Sequence, residues 1–259
     1  MRFLFPLLLC GLSSLSHAAS CVSRVPQEFD ASTLKQGDVV FISSSSPQSE
    51  MLLEATRSKW THVGVVAKDP VTGQLSVFEA SSKVKFSSLT DFVGKSHGAQ
   101  VSVKRLDPAV CAARKARDPA IDCNIGVNFN AKIGDAVEKF HGKNYDRKFQ
   151  ESDDTIYCSE LVDKVFRESF GIEIAPYESF QNMFGLKDGE NWRDLEHDPQ
   201  RRHVFDAIMA RFGPGGRDFQ QDALVVSPVA QYNSELLQTV YECEERVQSG
   251  RGRNHRSSE

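Results

Sequence analysis

The sequence predicts a mixed α and β fold, and three observations carry that prediction. The segments "THVGVVA" (61–67) and "LSVFEAS" (75–81) read as two strands around "KDPVTGQ", where Asp, Pro and Gly stand as a turn needs them. "GDVVFI" (37–42), entered by Gly37, and the alternating "QVSVKRL" (100–106) add two more short strands. Further on, Cys158, Leu161, Val162, Val165, Phe166 and Ser169 follow the i, i+3, i+4, i+7 spacing of one apolar helix face.

Taken from the N-terminus, the first element is one expected to be removed. "MRFLFPLLLCGLSSLSHA" (1–18) has an early Arg, a short apolar run and small residues before Ala18, the layout of a secretory signal peptide. No later stretch is long and apolar enough to cross a bilayer, so the mature chain is expected to be periplasmic or secreted. A rival reading rests on "AASC": lipoprotein-type cleavage before Cys21 would anchor the protein to a membrane through that residue. "SEMLLEATRS" (49–58) has helical spacing. Residues 107–126 read as a surface excursion and 127–141 as a helix. A loop over 142–155 leads to the Cys158 helix, with Thr155 or Asp154 as its N-cap. After Phe170 the signals thin. "APYESF" can open a helix, 194–212 is charged and poorly periodic, and "DALVVSPVAQYNSELLQTVYE" reads as a strand, a proline break and a terminal helix. One domain over 19–245 accounts for these elements, followed by a basic Gly/Ser-rich tail (246–259) expected to be disordered. The composition, 40% hydrophobic and 25% charged over 259 residues, suits a packed fold, and a net charge of -4 gives no reason to expect nucleic acid as a partner.

The chain has six cysteines. Cys10 leaves with the signal peptide, and the remaining odd number meets an oxidising compartment. If Cys158 is the unpaired one, the others allow three connectivities. Cys111–Cys123 is the simplest local loop, and Cys21–Cys243 would then tie the chain ends; the sequence leaves the pairing open. In the first turn of a helix, free N–H groups and the macrodipole favour a thiolate, and the same N–H groups can hold an oxyanion. Asp153 and Asp154 oppose this unless they face solvent or cap the helix. The plain alternative is a buried structural cysteine.

A nucleophile needs a base, and among the histidines His62 alone opens an apolar strand. His62, Gly64 and Val66 share one face. A loop of Asp69 to Thr72 would set His62 opposite Glu79. A loop of Pro70 to Gly73 would make Glu79 its diagonal neighbour. Both registers leave the two on one face, where Glu79 can accept from one imidazole nitrogen and raise the basicity of the other. A one-residue slip would separate them.

"GDVVFI…EATRSKWTHVGVV…VFEAS…YDRKF…YCSELVDKVF" resembles the circularly permuted papain-like amidases, the YaeF/YiiX group of the NlpC-like hydrolases, from about Gly37 to Phe170. The resemblance implies an α+β papain-like core, with a small antiparallel sheet or barrel packed against the nucleophile helix. It implies thiol hydrolysis of an amide, or of an ester, with Cys158 as nucleophile, His62 as base and acid, Glu79 as orienter and Tyr145 at the substrate cleft. It implies no cofactor and no metal; Cys111 and Cys123 lack metal-site spacing, and no His-x-x-x-His occurs. A cell-wall-type peptide is the natural substrate for such an exported enzyme. An acyl enzyme acting on lipids or lipopeptides, or a binding protein without catalysis, are the other readings. A polar groove would favour the peptide and an apolar pocket the lipid.

Overall fold

The hairpin that carries His62 and Glu79 forms in the second of the two expected registers. In this computed structural model, which describes residues 31–243 apart from Val127 and Glu151, strand β2 (His62–Lys68) pairs with β3 (Leu75–Ala80), Val65 opposite Phe78 and Lys68 opposite Leu75. The Asp69 amide donates to the Gln74 carbonyl at 2.9 Å, so the loop is Pro70–Gly73. With β1 (Val39–Ser44), β4 (Val84–Ser88), β5 (Ser96–Leu106) and a C-terminal strand Leu237–Cys243, the hairpin makes a six-stranded antiparallel sheet. Its order is C-terminal strand, β5, β1, β2, β3, β4, an open sheet.

Alternation assigns the two faces of this sheet. Val63, Val65, Phe78 and Ala80 join Leu161, Val162, Val165 and Phe166 of the helix Cys158–Phe170 in one core. Val66 and Val77 point the other way, to Phe92 and Val93 of the short helix Leu89–Val93. A third cluster ties α1 (Pro47–Thr56), through Met51 and Leu52, to Trp192, Leu195, Phe205 and Ile208. The last two belong to the helix Arg202–Phe212.

Several expectations are corrected. α1 starts at Pro47, whose missing N–H is no loss at that position, with Ser46 as N-cap. Residues 107–126 do not merely run over the surface: Asp107 caps a helix Pro108–Lys115, and Cys111, Ile121 and Ile125 are buried. The helix over 127–141 is two pieces, Phe129–Lys132 and Gly134–Phe140. The charged stretch 194–212 contains the regular helix Arg202–Phe212, which buries Val204, Phe205, Ala207 and Ile208. The terminal helix is a strand, because Leu237–Cys243 pairs along the β5 edge, whose backbone groups need partners. Cys111 and Cys123 are disulfide-bonded, and Cys158 is free. Cys243 is also disulfide-bonded. Cys21, the signal peptide 1–18 and the tail 246–259 lie outside the described residues.

Candidate active site

Cys158 is the first residue of its helix, which makes Tyr157 the N-cap in place of Thr155 or Asp154. Thr155 belongs instead to a two-residue strand. The Tyr157 hydroxyl accepts from the Val226 amide at 3.1 Å, and its ring packs on Phe149. Backbone N–H groups of the first turn have no intrahelical acceptor. Asp153 is paired with Lys139 and Lys164, so it does not confront the thiol as a bare charge. Burial pushes Glu160 up to about 7 against the pull of Lys164, which weakens a second anion at this helix start.

His62 Nε2 lies 2.7 Å from Glu79 Oε2, inside the protein. The imidazole stacks on Phe92 at 5.3 Å. Nε2 is engaged by Glu79, and the imidazole and the Cys158 thiol lie close enough for each to shift the other's pKa. Glu79 is fully buried, and its Oε1 accepts from Ser87 Oγ and Lys95 Nζ. A buried carboxylate is costly without such partners. Gly64 makes room for it: a Cβ there would stand 2.4 Å from Val77 Cγ1 and 3.3 Å from Glu79 Cβ.

The charges follow from these contacts. Burial alone would lower the His62 pKa, but hydrogen bonds and charge from Cys158 and Glu79 overcome it and raise the group to about 9. Burial alone would raise the Cys158 thiol; His62, Tyr145 and the Val63 amide outweigh it and bring the thiol down. Burial likewise works to raise Glu79, while His62 and Lys95 hold it at about 2. These shifts favour the form of the pair in which a thiolate stands beside an imidazolium.

Tyr145 donates its hydroxyl toward Cys158 Sγ at 3.9 Å. Gln48 donates its side-chain amide to the Tyr145 oxygen, leaving the phenolic proton for the sulfur. Burial and the neighbouring thiolate raise the Tyr145 pKa well above its ordinary value, so it stays a donor. Both line a cleft of about 560 Å³, together with His62, Thr61, Arg147 and Arg211. All four residues singled out from the sequence, Cys158, His62, Glu79 and Tyr145, therefore meet. Ser87, Lys95, Phe92, Gln48 and the two arginines were not anticipated. They come from elements whose place beside the hairpin only the folded chain reveals.

A papain-like cysteine hydrolase is the class that this fold and this cysteine–histidine pair define. The profile of the permuted papain-like amidase enzymes (YaeF/YiiX, C92 family) matches residues 33–241, and the chain belongs to that family. It is 28% identical to the uncharacterized protein YiiX of Escherichia coli (strain K12) over 207 residues, 79% of this chain and 84% of that protein. The crystal structure of the metalloprotein yiiX from Escherichia coli O157:H7 superposes with a TM-score of 0.60 at 25% identity, covering 82% of this chain and 98% of that chain. The metal in that title finds no matching donor set here: among the described residues, no group of three or more His, Cys, Asp or Glu is placed to hold an ion.

Proposed function

We propose that this chain is an exported cysteine amidase that hydrolyses a peptide amide through Cys158, His62 and Glu79. The observation that carries the reading is the buried His62–Glu79 contact of 2.7 Å on an imidazole that is electrostatically coupled to the Cys158 thiol. In the proposed cycle the Cys158 thiolate attacks the amide carbonyl. The backbone N–H at the helix start and the Tyr145 hydroxyl donate to the oxyanion. The His62 imidazolium gives its proton to the departing amine, leaving an acyl thioester on Cys158. His62, now neutral, takes a proton from water as it attacks the thioester, and the acid leaves as the thiolate reforms. Glu79 holds the ring orientation and stabilises its cation.

The peptide reading is supported by the lining of the cleft, where Ser44, Gln48, Thr61 and Arg211 are among the side chains. An acyl chain would call for an apolar slot. Export is supported by the N-terminal pattern and by the Cys111–Cys123 disulfide, which suits an oxidising compartment. The test is thiol labelling of the mature protein, followed by hydrolysis assays on peptidoglycan peptides beside lipid amides and esters. Cys158→Ala and His62→Ala should remain folded and lose turnover. Robust turnover by Cys158→Ala would sink the proposal.

A further inference from the structure

The cleft beside Cys158 carries more positive charge than the proposed chemistry uses. Arg211, on the helix Arg202–Phe212, is half-buried, with its guanidinium over the Phe149 and Phe212 rings at 5.7 and 5.0 Å. Its Nη2 donates to the Arg147 carbonyl at 2.6 Å and, at 3.4 Å, to Gln48 Oε1. Those acceptors use one nitrogen of the fork and leave Nε and Nη1 for something else. Arg211 forms no ion pair among the described residues. Arg147, on the same cleft wall, makes neither a side-chain hydrogen bond nor an ion pair there. The nearest acid in sequence, Asp146, is buried and occupied by the amides of Lys148, Phe149 and Gln150. No Asp or Glu lines the cleft, although the whole chain carries a net charge of -4.

A partly desolvated guanidinium without a counter-charge is costly, and the cost is recovered if a ligand supplies the charge. Burial and the repulsion of Arg147 lower the Arg211 pKa and outweigh the opposing pull of Tyr145 and Asp146, neither of which forms an ion pair with it. Arg211 is also tied to the reacting sulfur. Its hydrogen-bond partner Gln48 is the residue that orients the Tyr145 hydroxyl toward Cys158.

We infer that Arg211 and Arg147 form a carboxylate-binding subsite, and that the substrate is an acidic peptide with a free carboxylate a short distance from the scissile amide. This rests on the peptide-amidase reading above and narrows it. The planar fork of arginine matches a carboxylate.

The test uses internally quenched fluorogenic peptides in which each carboxylate, side-chain or C-terminal, is replaced in turn by its carboxamide. One such replacement should lower kcat/KM of the wild type about 10- to 100-fold, chiefly through KM. In Arg211→Gln and in Arg147→Gln that preference should shrink toward unity, and Arg211→Lys should restore part of it. Arg147 is exposed, so its variant keeps the test open if Arg211→Gln misfolds. Equal hydrolysis of carboxylate and carboxamide peptides by the wild type would overturn the subsite and leave the amidase reading standing. Calorimetric binding of the same peptides to Cys158→Ala separates the two ideas. Carboxylate-dependent, Arg211-dependent binding with no hydrolysis by the wild type would support the subsite and overturn the amidase reading. Binding to phosphatidylglycerol vesicles without any preference for carboxylate peptides would overturn the subsite in favour of a lipid headgroup site.

Discussion

Glu79→Gln is the perturbation with the most structure behind it. The substitution preserves volume and keeps an acceptor for His62, but removes the negative charge. That charge lies 2.7 Å from the imidazole in a fully buried position. With Glu79 and the thiolate in place, the imidazole is raised from 6.5 to about 9 despite its burial. If the carboxylate supplies between one and two of those pH units, the loss is about 1.4 to 2.7 kcal/mol of imidazolium stabilisation. The reactive pair needs the imidazolium, so the alkaline limb of kcat/KM should stand near pH 9 in the wild type and fall by about 1 to 2 units in the variant. At pH 7 that shift alone should lower the rate no more than about 2-fold, while above pH 9 the loss should reach about 10- to 100-fold. Lys95 loses its anionic partner, but its side chain is 34% exposed and can turn to water. The stability cost should therefore stay at about 1 to 3 kcal/mol. The assay is a pH profile of kcat/KM beside a thermal unfolding curve. A folded variant whose alkaline limb does not move would refute the reasoning, because Glu79 would then be a packing residue rather than the partner that holds the proton on His62.

Other expectations follow from single contacts. Tyr145→Phe removes a donor 3.9 Å from Cys158 Sγ; kcat should fall about 100-fold with KM little changed, as steady-state kinetics would show. Gly64→Ala places a Cβ 2.4 Å from Val77 Cγ1, so unfolding measurements should find it destabilised by about 1 to 3 kcal/mol. Replacing both Cys111 and Cys123 by Ser opens a loop of sequence separation 12 and should cost about 3 kcal/mol in denaturant titration, with kcat/KM of the folded protein unchanged.

The site was legible in the sequence where local chemistry decided it. "KDPVTGQ" admits only a few turns, and both registers considered keep His62 and Glu79 on one face. The apolar stripe from Leu161 to Phe166 was enough to point Cys158 inward. What was missed came from distant pairing. Ser87 and Lys95 reach Glu79 only because β4 lies beside β3 and the turn before β5 folds back. Arg211 sits on a helix whose charges hide its buried face of Val204, Phe205 and Ile208. The stretch around Leu237 has apolar spacing that fits a helix, and the open edge of β5 made it a strand. Local pattern states what a segment can be; the free hydrogen bonds of its neighbours decide between the options.

The central claim is that His62 holds Cys158 as a thiolate. Ultraviolet thiolate absorbance, taken as the difference between the wild type and Cys158→Ala across the pH range, reads that state without any substrate. The wild type should titrate below the ordinary thiol value of about 8.5, and His62→Ala should move the transition to or above that value. Superimposable titrations with and without His62 would contradict the account.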